Sequence, residues 1–389
     1  MTPSSPFGDF SDYSAEAMVA RGTRKWSLDP DAIGAWIAEM DFGIAPPIAR
    51  TITSHVAAGT FGYLPAPLAE AAKEATATWY RRAHDWSIES SAVRLFPDVL
   101  TALQAAITHG LAEGAPVVVP TPNYMPFLTL PSLFGRRIIE VPGLRDEAGH
   151  YRLDISRIDA ALSEGGLLIL CNPWNPVGRV LTRAELREVE QVVSARGARV
   201  FADEIHAPVV LEESCTHVPY ASLSQASAAH TLTAISNSKG WNIPGLKCAQ
   251  MIVSNDADAA ALEPWVERYE HLASPLGVAC AVSAYTECDA WLDDVREVLR
   301  NNRDLFADLI ATGLPEAVHA PAQGTYLAWV DLRPYGIEAP GEFLATRARV
   351  IVNDGAACGA PGFARVNLAM SPDNVHEAAR RIVEAVRSA

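Results

Sequence analysis

Four polar residues stand just after apolar runs of this chain, and their types suit a common chemistry. They are Asn175 after Leu167–Cys171, Asp203 after Arg199–Ala202, Lys239 after Thr231–Ile235, and Tyr124 after Val117–Val119. Ligands of an open parallel sheet bind outside the carboxyl ends of its strands, so these side chains are expected at one rim. An amine, a carboxylate, an amide and a phenol at one rim predict a binding or catalytic site.

Each of these residues also has a simpler interpretation when it is taken alone. Asn175 before a proline is typical of a turn, and Asp203 at a strand end is typical of a helix cap. The string Asp203-Glu204-Ile205-His206 resembles the acidic strand end of an ATPase. That class needs a phosphate loop with a Gly-Lys pair, and the chain contains no Gly-Lys pair. Only the combination of residues therefore indicates a function.

The combination matches the requirements of pyridoxal phosphate. This cofactor needs a lysine for its Schiff base and an acidic partner for its pyridine nitrogen. Its phenolic oxygen needs a donor, its ring accepts an aromatic neighbour, and its phosphate is held by hydroxyls and free amides. Lys239, Asp203, Asn175 and Tyr124 supply the first four features, so pyridoxal phosphate is the predicted cofactor.

The elements that must position these residues follow from the apolar pattern. Continuous apolar runs indicate strands buried on both faces of a mostly parallel sheet. Six such runs occur, at Val117–Val119, Ile138–Val141, Leu167–Cys171, Arg199–Ala202, Thr231–Ile235 and Gln250–Val253. Helical segments lie between several of them, for example at Asp98–Ala112 and Arg183–Ala195. The pattern predicts an α/β core in which helices flank the sheet.

The pattern changes after Cys288. The predicted elements there are a long helix from Ala290 to about Ile310, strands at Thr325–Val330, Val350–Val352 and Ala364–Leu368, and a last helix that begins at Ser371-Pro372. We therefore expect a large α/β domain at 46–287 and a small α+β domain at 288–389. Residues 1–45 are expected to form an N-terminal segment that packs with the small domain.

Composition excludes several classes of protein. The 389 residues are 49% hydrophobic and 20% charged, which is typical of a globular chain. A net charge of −15 argues against a nucleic-acid partner. The six cysteines form no C-x-x-C pair, which favours free thiols over a zinc site or disulfides. The sequence opens without a signal-peptide pattern, and five prolines interrupt the uncharged stretch 114–134. We expect a cytoplasmic protein with no metal and no membrane partner.

Six strings of residues resemble the motifs of a known enzyme family. They are SNSKGWNIPGLK (236–247), DEIHAPVVLEESCTHVPYASL (203–223), CNPWNPVGR (171–179), WIAEMDF (36–42), FGY (61–63) and TPNYMPF (121–127). Together they resemble fold-type I pyridoxal-phosphate enzymes of the aminotransferase class I/II superfamily. Within it they are similar to the MalY/PatB branch of cystathionine β-lyases and cysteine-S-conjugate β-lyases. The similarity runs from residue 30 to residue 370.

The resemblance implies roles for the residues around the cofactor ring. Lys239 would form the Schiff base and then act as the base at the substrate Cα. Asp203 would pair with the pyridine nitrogen, and Tyr124 would stack on the ring face; these three form the expected catalytic set. His206 would reach the phenolic oxygen or brace Asp203. Asn175 would donate to the phenolic oxygen.

The resemblance also implies a phosphate site and a substrate site. The expected phosphate ligands are Val99, Leu100, Ser236, Ser238 and Lys247, with Tyr63 reaching in from the neighbouring subunit of a homodimer that has composite sites. Relatives usually carry Gly or Ser at position 98, so Asp98 is expected to cap the helix with its side chain turned away. Arg365 would bind the substrate α-carboxylate, with Trp36 and Asn175 nearby. Glu39 and Asp41 receive no role.

Four functions remain open on this evidence. The first is a carbon–sulfur β-lyase that converts cystathionine or an S-substituted cysteine to a thiol, pyruvate and ammonia. The second is an aminotransferase, for which Arg268 is the best candidate to bind a distal carboxylate. The third is a specialised biosynthetic enzyme, such as a cyclase or a γ-acting enzyme, on the same scaffold. The fourth is a regulatory protein that binds pyridoxal phosphate without turnover.

Overall fold

The computed structural model describes residues 13–389. The strands are β1 (Ile33–Gly34), β2 (Val93–Phe96), β3 (Val117–Thr121), β4 (Ile138–Pro142), β5 (Leu144–Arg145), β6 (Tyr151–Arg152), β7 (Leu167–Cys171), β8 (Arg199–Asp203), β9 (Thr231–Ile235), β10 (Ala249–Val253), β11 (Leu327–Asp331), β12 (Val350–Ile351), β13 (Asn353–Asp354) and β14 (Phe363–Asn367). The α-helices are α1 (Ala15–Arg21), α2 (Pro46–Ala58), α3 (Ala66–His84), α4 (Val99–His109), α5 (Leu130–Leu133), α6 (Ile155–Ala161), α7 (Arg183–Arg196), α8 (Gln225–Ala229), α9 (Asn237–Gly240), α10 (Asp256–Leu262), α11 (Val266–Glu270), α12 (Pro275–Glu287), α13 (Asp289–Gly313), α14 (Pro340–Phe343) and α15 (Pro372–Arg387).

A seven-stranded sheet forms the centre of the molecule, in the order β2-β10-β9-β8-β7-β3-β4. Strands β4, β3, β7, β8 and β9 run parallel, whereas β10 is antiparallel to both of its neighbours. Every residue of β3, β7, β9 and β10 is buried, as expected for strands covered on both faces. The predicted mostly parallel α/β core is therefore confirmed.

All six predicted strands of the core are present, and two features of the sheet were not predicted. Strand β2, only four residues long, pairs with β10 at the edge of the sheet. The run at β10 was predicted without a direction, because a continuous apolar run looks the same in a parallel and an antiparallel strand. The sequence of the core therefore predicts where the strands lie, but it does not predict how all of them pair.

A second, three-stranded sheet follows the long helix α13, in the antiparallel order β11-β14-β13. Helix α15 begins as predicted, with Ser371 as its cap and Pro372 at the first position. The predicted strand at Thr325–Val330 is shifted, because β11 covers Leu327–Asp331. These elements share a hydrophobic core.

The described part of the predicted N-terminal segment, residues 13–45, contributes to that second core, and residues 1–12 of the segment lie outside the described residues. Met18, Trp26 and Ile33 are buried in the cluster that also contains residues of α13 and α15, and Ile33 pairs with Val350 in a parallel two-stranded sheet. Met40 and Phe42 instead pack with helices of the larger body. We propose, on this packing, that the chain divides at residues 45 and 287 as the sequence suggested. Within residues 13–389, no helix is long and apolar enough to span a membrane.

Candidate active site

A cavity of about 370 Å³ lies at the carboxyl ends of the parallel strands. It is lined by twelve of the predicted site residues: Trp36, Val99, Leu100, Tyr124, Asn175, Asp203, His206, Ser236, Ser238, Lys239, Lys247 and Arg365. Most of them lie at or just after strand ends. Asp203 is the last residue of β8, and the segments that follow β3, β7 and β9 line the same cavity. The structure therefore brings together residues that lie far apart in the sequence.

The Asp203 carboxylate is buried at the floor of the cavity. Its Oδ1 accepts a hydrogen bond from the backbone N–H of Ile205 at 3.2 Å, and its Oδ2 accepts one from the Cys171 thiol at 3.6 Å. Burial raises the pKa of Asp203 to about 6, since the charged form loses its hydration there. A buried carboxylate with few donors is suited to pair with a cationic N–H of a ligand.

The Lys239 amine reaches into the same cavity from the short helix α9. Its Nζ donates to the backbone carbonyl of Ala38 at 2.7 Å. Burial, and next the charge of Arg365, lower the pKa of Lys239 to about 8. A substantial fraction of the amine is consequently neutral near physiological pH, which is the form that attacks a carbonyl group.

His206 lies beside these two groups and is almost completely buried. Its Nδ1 is buried and has no hydrogen-bond partner within the described residues. Burial, together with the positive charges of Lys239 and Arg365, lowers the pKa of His206 well below its ordinary value. The imidazole is therefore neutral, and one ring nitrogen remains available to a ligand.

The start of helix α4 forms a second wall, where Val99 and Leu100 expose the free N–H groups of a first turn. Asp98 is the N-cap of this helix, because its Oδ1 accepts from the N–H and the hydroxyl of Thr101 at 2.9 and 2.8 Å. This part of the expectation for Asp98 is confirmed. The side chain is not turned away, however, because Oδ2 pairs with Lys247 Nζ at 3.2 Å on the cavity wall.

The two predicted serines lie near this helix start. Ser236 Oγ donates to the carbonyl of Cys248 at 2.8 Å and accepts from the N–H of Ser238 at 3.1 Å. The Ser236 hydroxyl proton is thus already engaged, and both serines line the cavity. A phosphate role for these residues and for Lys247 stays a prediction.

The buried Arg365 guanidinium also lines the cavity, from strand β14. Its Nη1 donates to Asn175 Oδ1 at 3.2 Å, while its Nη2 donates to the Trp36 carbonyl at 3.0 Å and to Asn353 Oδ1 at 2.6 Å. These neutral acceptors fix the orientation of the group without neutralising its charge. A buried, oriented guanidinium that pairs with no carboxylate of residues 13–389 is suited to bind a substrate carboxylate.

Tyr124 completes the ring-binding side of the cavity. Its ring is half-buried and packs edge-on against Phe127, with the centroids 5.4 Å apart. Burial raises the pKa of the Tyr124 phenol, so the hydroxyl stays protonated at neutral pH. The position fits the predicted stacking role, which stays a prediction.

Two of the residues weighed from the sequence lie outside this cavity. Tyr63 is 90% exposed, and its ring lies 6.1 Å from that of His271 on the outer surface. Arg268 is exposed on the short helix α11 and does not line the cavity. Within one chain, therefore, neither residue contributes to the site.

Several lining residues were missed by the sequence interpretation. Arg24, Met125, Asn353 and Cys248 line the cavity, and the Tyr326 hydroxyl donates to the Ala38 carbonyl at 3.1 Å, next to Lys239. None of them stands after a strand of the large sheet except Met125. A signal existed only for Met125, which lies inside the string TPNYMPF already used for Tyr124.

The donor set fits pyridoxal phosphate. Lys239 offers an amine of lowered pKa, Asp203 a buried carboxylate, and His206 a ring nitrogen without a partner. The free N–H groups of α4 suit a phosphate dianion. The groups that could form the covalent bond, pair with the ring nitrogen and hold the phosphate thus line one cavity.

Comparison with known proteins assigns the chain to a family. The sequence profile of the family described as aminotransferase class I and II matches residues 38–382, and the chain belongs to this family. The fold is the fold-type I architecture of its pyridoxal-phosphate enzymes, as predicted.

Several relatives point to one branch of that family. The chain is 37% identical, over 94% of its length and 97% of the relative, to the cystathionine beta-lyase of Corynebacterium glutamicum. It is 30% identical to the protein MalY of Escherichia coli, with 92% of each chain covered. A crystal structure of a putative PLP-dependent beta-cystathionase from Corynebacterium diphtheriae superposes with a TM-score of 0.90 at 34% identity, covering 96% of this chain and 98% of that one. The predicted resemblance to the MalY/PatB branch is confirmed.

Proposed function

We propose that this protein is a pyridoxal-phosphate-dependent carbon–sulfur β-lyase that cleaves cystathionine or a related S-substituted cysteine. One observation carries the proposal. Lys239, Asp203 and Arg365 line a single cavity in a chain that is related over nearly its whole length to a cystathionine beta-lyase. The cofactor and the class of enzyme predicted from the sequence agree with these relatives.

Some of these residues would hold the cofactor, and others would orient the substrate. Lys239 would bind the cofactor covalently, Asp203 would pair with its ring nitrogen, and His206 and Asn175 would face its phenolic oxygen. The bound cofactor supplies an electron-withdrawing ring that stabilises negative charge at the substrate Cα. Arg365 binds the α-carboxylate, which fixes the direction in which the Cα–H bond points.

Lys239 would be the base that removes the Cα proton of the substrate. When its amine is not bound to the cofactor, Lys239 Nζ would accept the Cα proton. The lowered pKa of this amine increases its neutral fraction, and the neutral form is the one that acts as a base. Loss of the thiol from Cβ and addition of one water then give pyruvate and ammonia.

The proposal is tested by incubating the purified holoenzyme with cystathionine and with several S-substituted cysteines. Thiol and pyruvate are followed with and without an added 2-oxo acid. We expect equal release of both products without the oxo acid. Turnover that requires the oxo acid would instead identify an aminotransferase, the activity that gives the family its name.

We also propose that the enzyme acts as a homodimer whose sites receive Tyr63 from the neighbouring subunit. Large apolar side chains close in the sequence to Tyr63 or to its ring neighbour His271 are exposed: Val56 is 59% exposed, Phe61 63% and Leu272 55%. Such a patch favours association with another protein surface, and a second copy of the chain is the partner that the resemblance implies. Sedimentation should give a dimer, and Phe61→Glu should yield monomers with weakened cofactor binding. A monomeric wild type would contradict the proposal.

A cytoplasmic location remains part of the proposal. The six cysteines are all free in the structure, and five of them are buried. Free thiols are typical of proteins in a reducing compartment. Fractionation of cells that express the native chain tests this location.

A further inference from the structure

Arg24 is a cationic residue at the mouth of the active-site cavity. None of the roles described above involves it. It is exposed, it lines the cavity, and its guanidinium carbon lies 5.6 Å above the Trp36 ring centroid. This distance is within the range of a cation–π contact. No carboxylate of residues 13–389 lies within ion-pair distance of this guanidinium. Its charge is therefore available to a ligand.

The backbone around Arg24 is held by buried contacts, so the position of the side chain is not that of a loose surface residue. The adjacent Lys25 is fully buried and pairs with Asp41 Oδ1 at 3.1 Å. Trp26 Nε1 donates to the same oxygen at 3.0 Å, and Trp36 Nε1 donates to the carbonyl of Lys25 at 3.1 Å. These contacts fix the short helix Arg24–Trp26 against the cavity wall.

Trp36 links Arg24 to the site for the α-carboxylate. Its ring lies beneath Arg24, while its carbonyl accepts from Arg365 Nη2 at 3.0 Å. Two guanidinium groups therefore contact one residue, the buried Arg365 through the Trp36 carbonyl and the exposed Arg24 over the Trp36 ring. A ligand that carries two anionic groups matches this arrangement.

We propose that Arg24 is a specificity-determining residue that binds an anionic group at the far end of the sulfur substituent. This inference rests on the proposed function and names its substrate class: S-substituted cysteines whose leaving thiol carries a carboxylate, as the leaving half of cystathionine does. Arg365 takes the α-carboxylate and Arg24 the distal carboxylate. The reaction is otherwise unchanged, since substrate and one water yield the carboxylated thiol, pyruvate and ammonium.

The test uses a matched pair of substrates, S-(2-carboxyethyl)-cysteine and its amide S-(2-carbamoylethyl)-cysteine, which have nearly the same shape and differ in the distal charge. The wild-type holoenzyme should prefer the acid. Arg24→Gln should lower kcat/KM for the acid by about 5- to 30-fold, a range between that of an exposed ion pair and that of a buried charge-assisted bond. The amide should be cleaved at the wild-type rate.

Two controls separate this role from a general effect of charge or folding. Arg187→Gln removes the same charge from an exposed position of α7 outside the cavity and should leave the preference intact. Arg24→Lys should recover part of the preference, and added salt should reduce the preference of the wild type. An unchanged acid-to-amide ratio in Arg24→Gln, or an equal loss for both substrates, would overturn the assignment. If the wild type releases thiol from neither substrate nor from any other S-substituted cysteine, the proposed function itself fails.

Discussion

Arg365 Nη1 donates to Asn175 Oδ1 at 3.2 Å, although the two residues are 190 positions apart in the sequence. Arg365 belongs to the small antiparallel sheet, whereas Asn175 follows β7 of the large sheet. The contact therefore joins the small sheet to the segment that follows a strand of the large sheet, inside the cavity. It also places the group expected to bind the substrate carboxylate next to a group expected to face the cofactor, so both can be positioned together.

Removal of the Arg365 side chain tests the carboxylate site. Arg365→Ala should raise KM for every amino-acid substrate, because all of them carry the α-carboxylate. The loss of a charge-assisted pair corresponds to roughly 1.5–3 kcal/mol, or about 10- to 150-fold in kcat/KM. Steady-state kinetics on substrates with different sulfur substituents should show similar losses. A loss confined to substrates with one sulfur substituent would show that Arg365 does not bind the α-carboxylate. Arg365→Lys is the control variant that keeps the positive charge.

The lowered pKa of Lys239 predicts how fast the apoprotein binds its cofactor at different pH values. The neutral amine is the reactive form, so the rate of covalent attachment should rise with pH and reach half its maximum near pH 8. Stopped-flow absorbance of apoprotein mixed with pyridoxal phosphate measures this rate. Asp203→Asn should shift the midpoint down, because the carboxylate favours the charged amine. Lys239→Ala should show no attachment, and a midpoint above pH 10 would contradict the account.

The buried carboxylate of Asp203 provides a third test. Asp203→Asn should fold and bind cofactor, yet lose at least about 100-fold in kcat, since a neutral amide cannot stabilise a protonated ring nitrogen. The thermal stability of the apoprotein should not fall, because the substitution removes a buried group whose pKa is raised. A rate within a few-fold of the wild type would mean that another acid serves the ring nitrogen.

The ion pair of Lys25 and Asp41 predicts a stability effect. Both side chains are almost completely buried, and the pair lies 3.1 Å apart. Lys25→Met leaves Asp41 without its counter-charge and should lower the free energy of unfolding by roughly 3–5 kcal/mol. Urea denaturation measures this value. The double variant Lys25→Met, Asp41→Leu should recover a large part of it; equal losses in the single and double variants would show that packing rather than charge explains the effect.

Three of the predicted residues that line the cavity share one local signal. Asp203, Lys239 and Asn175 follow continuous apolar runs. The geometry of a parallel sheet places the carboxyl ends of its strands at one edge, so these residues lie close together. Arg24 and Asn353 carry no such signal. The N-terminal segment and the C-terminal part of the chain meet through long-range pairing, as Ile33 does with Val350 in a two-stranded sheet, and such pairing leaves no periodic trace in either segment.

The direction of β10 and the contact of Asp98 illustrate the same limit. The apolar run of β10 predicts burial, but its direction depends on the strand beside which it lies. Asp98 was correctly expected to cap α4, a contact made within three residues. Its ion pair with Lys247 spans 149 positions and could not be derived from local spacing.

The most direct test of the central claim is the ratio of products released by the wild-type enzyme from one S-substituted cysteine without any 2-oxo acid. Thiol and pyruvate are measured in the same reaction over many turnovers. A carbon–sulfur β-lyase releases one pyruvate for each thiol and continues until substrate is consumed. An enzyme that stops after a single turnover, and resumes only when a 2-oxo acid is added, would contradict the account.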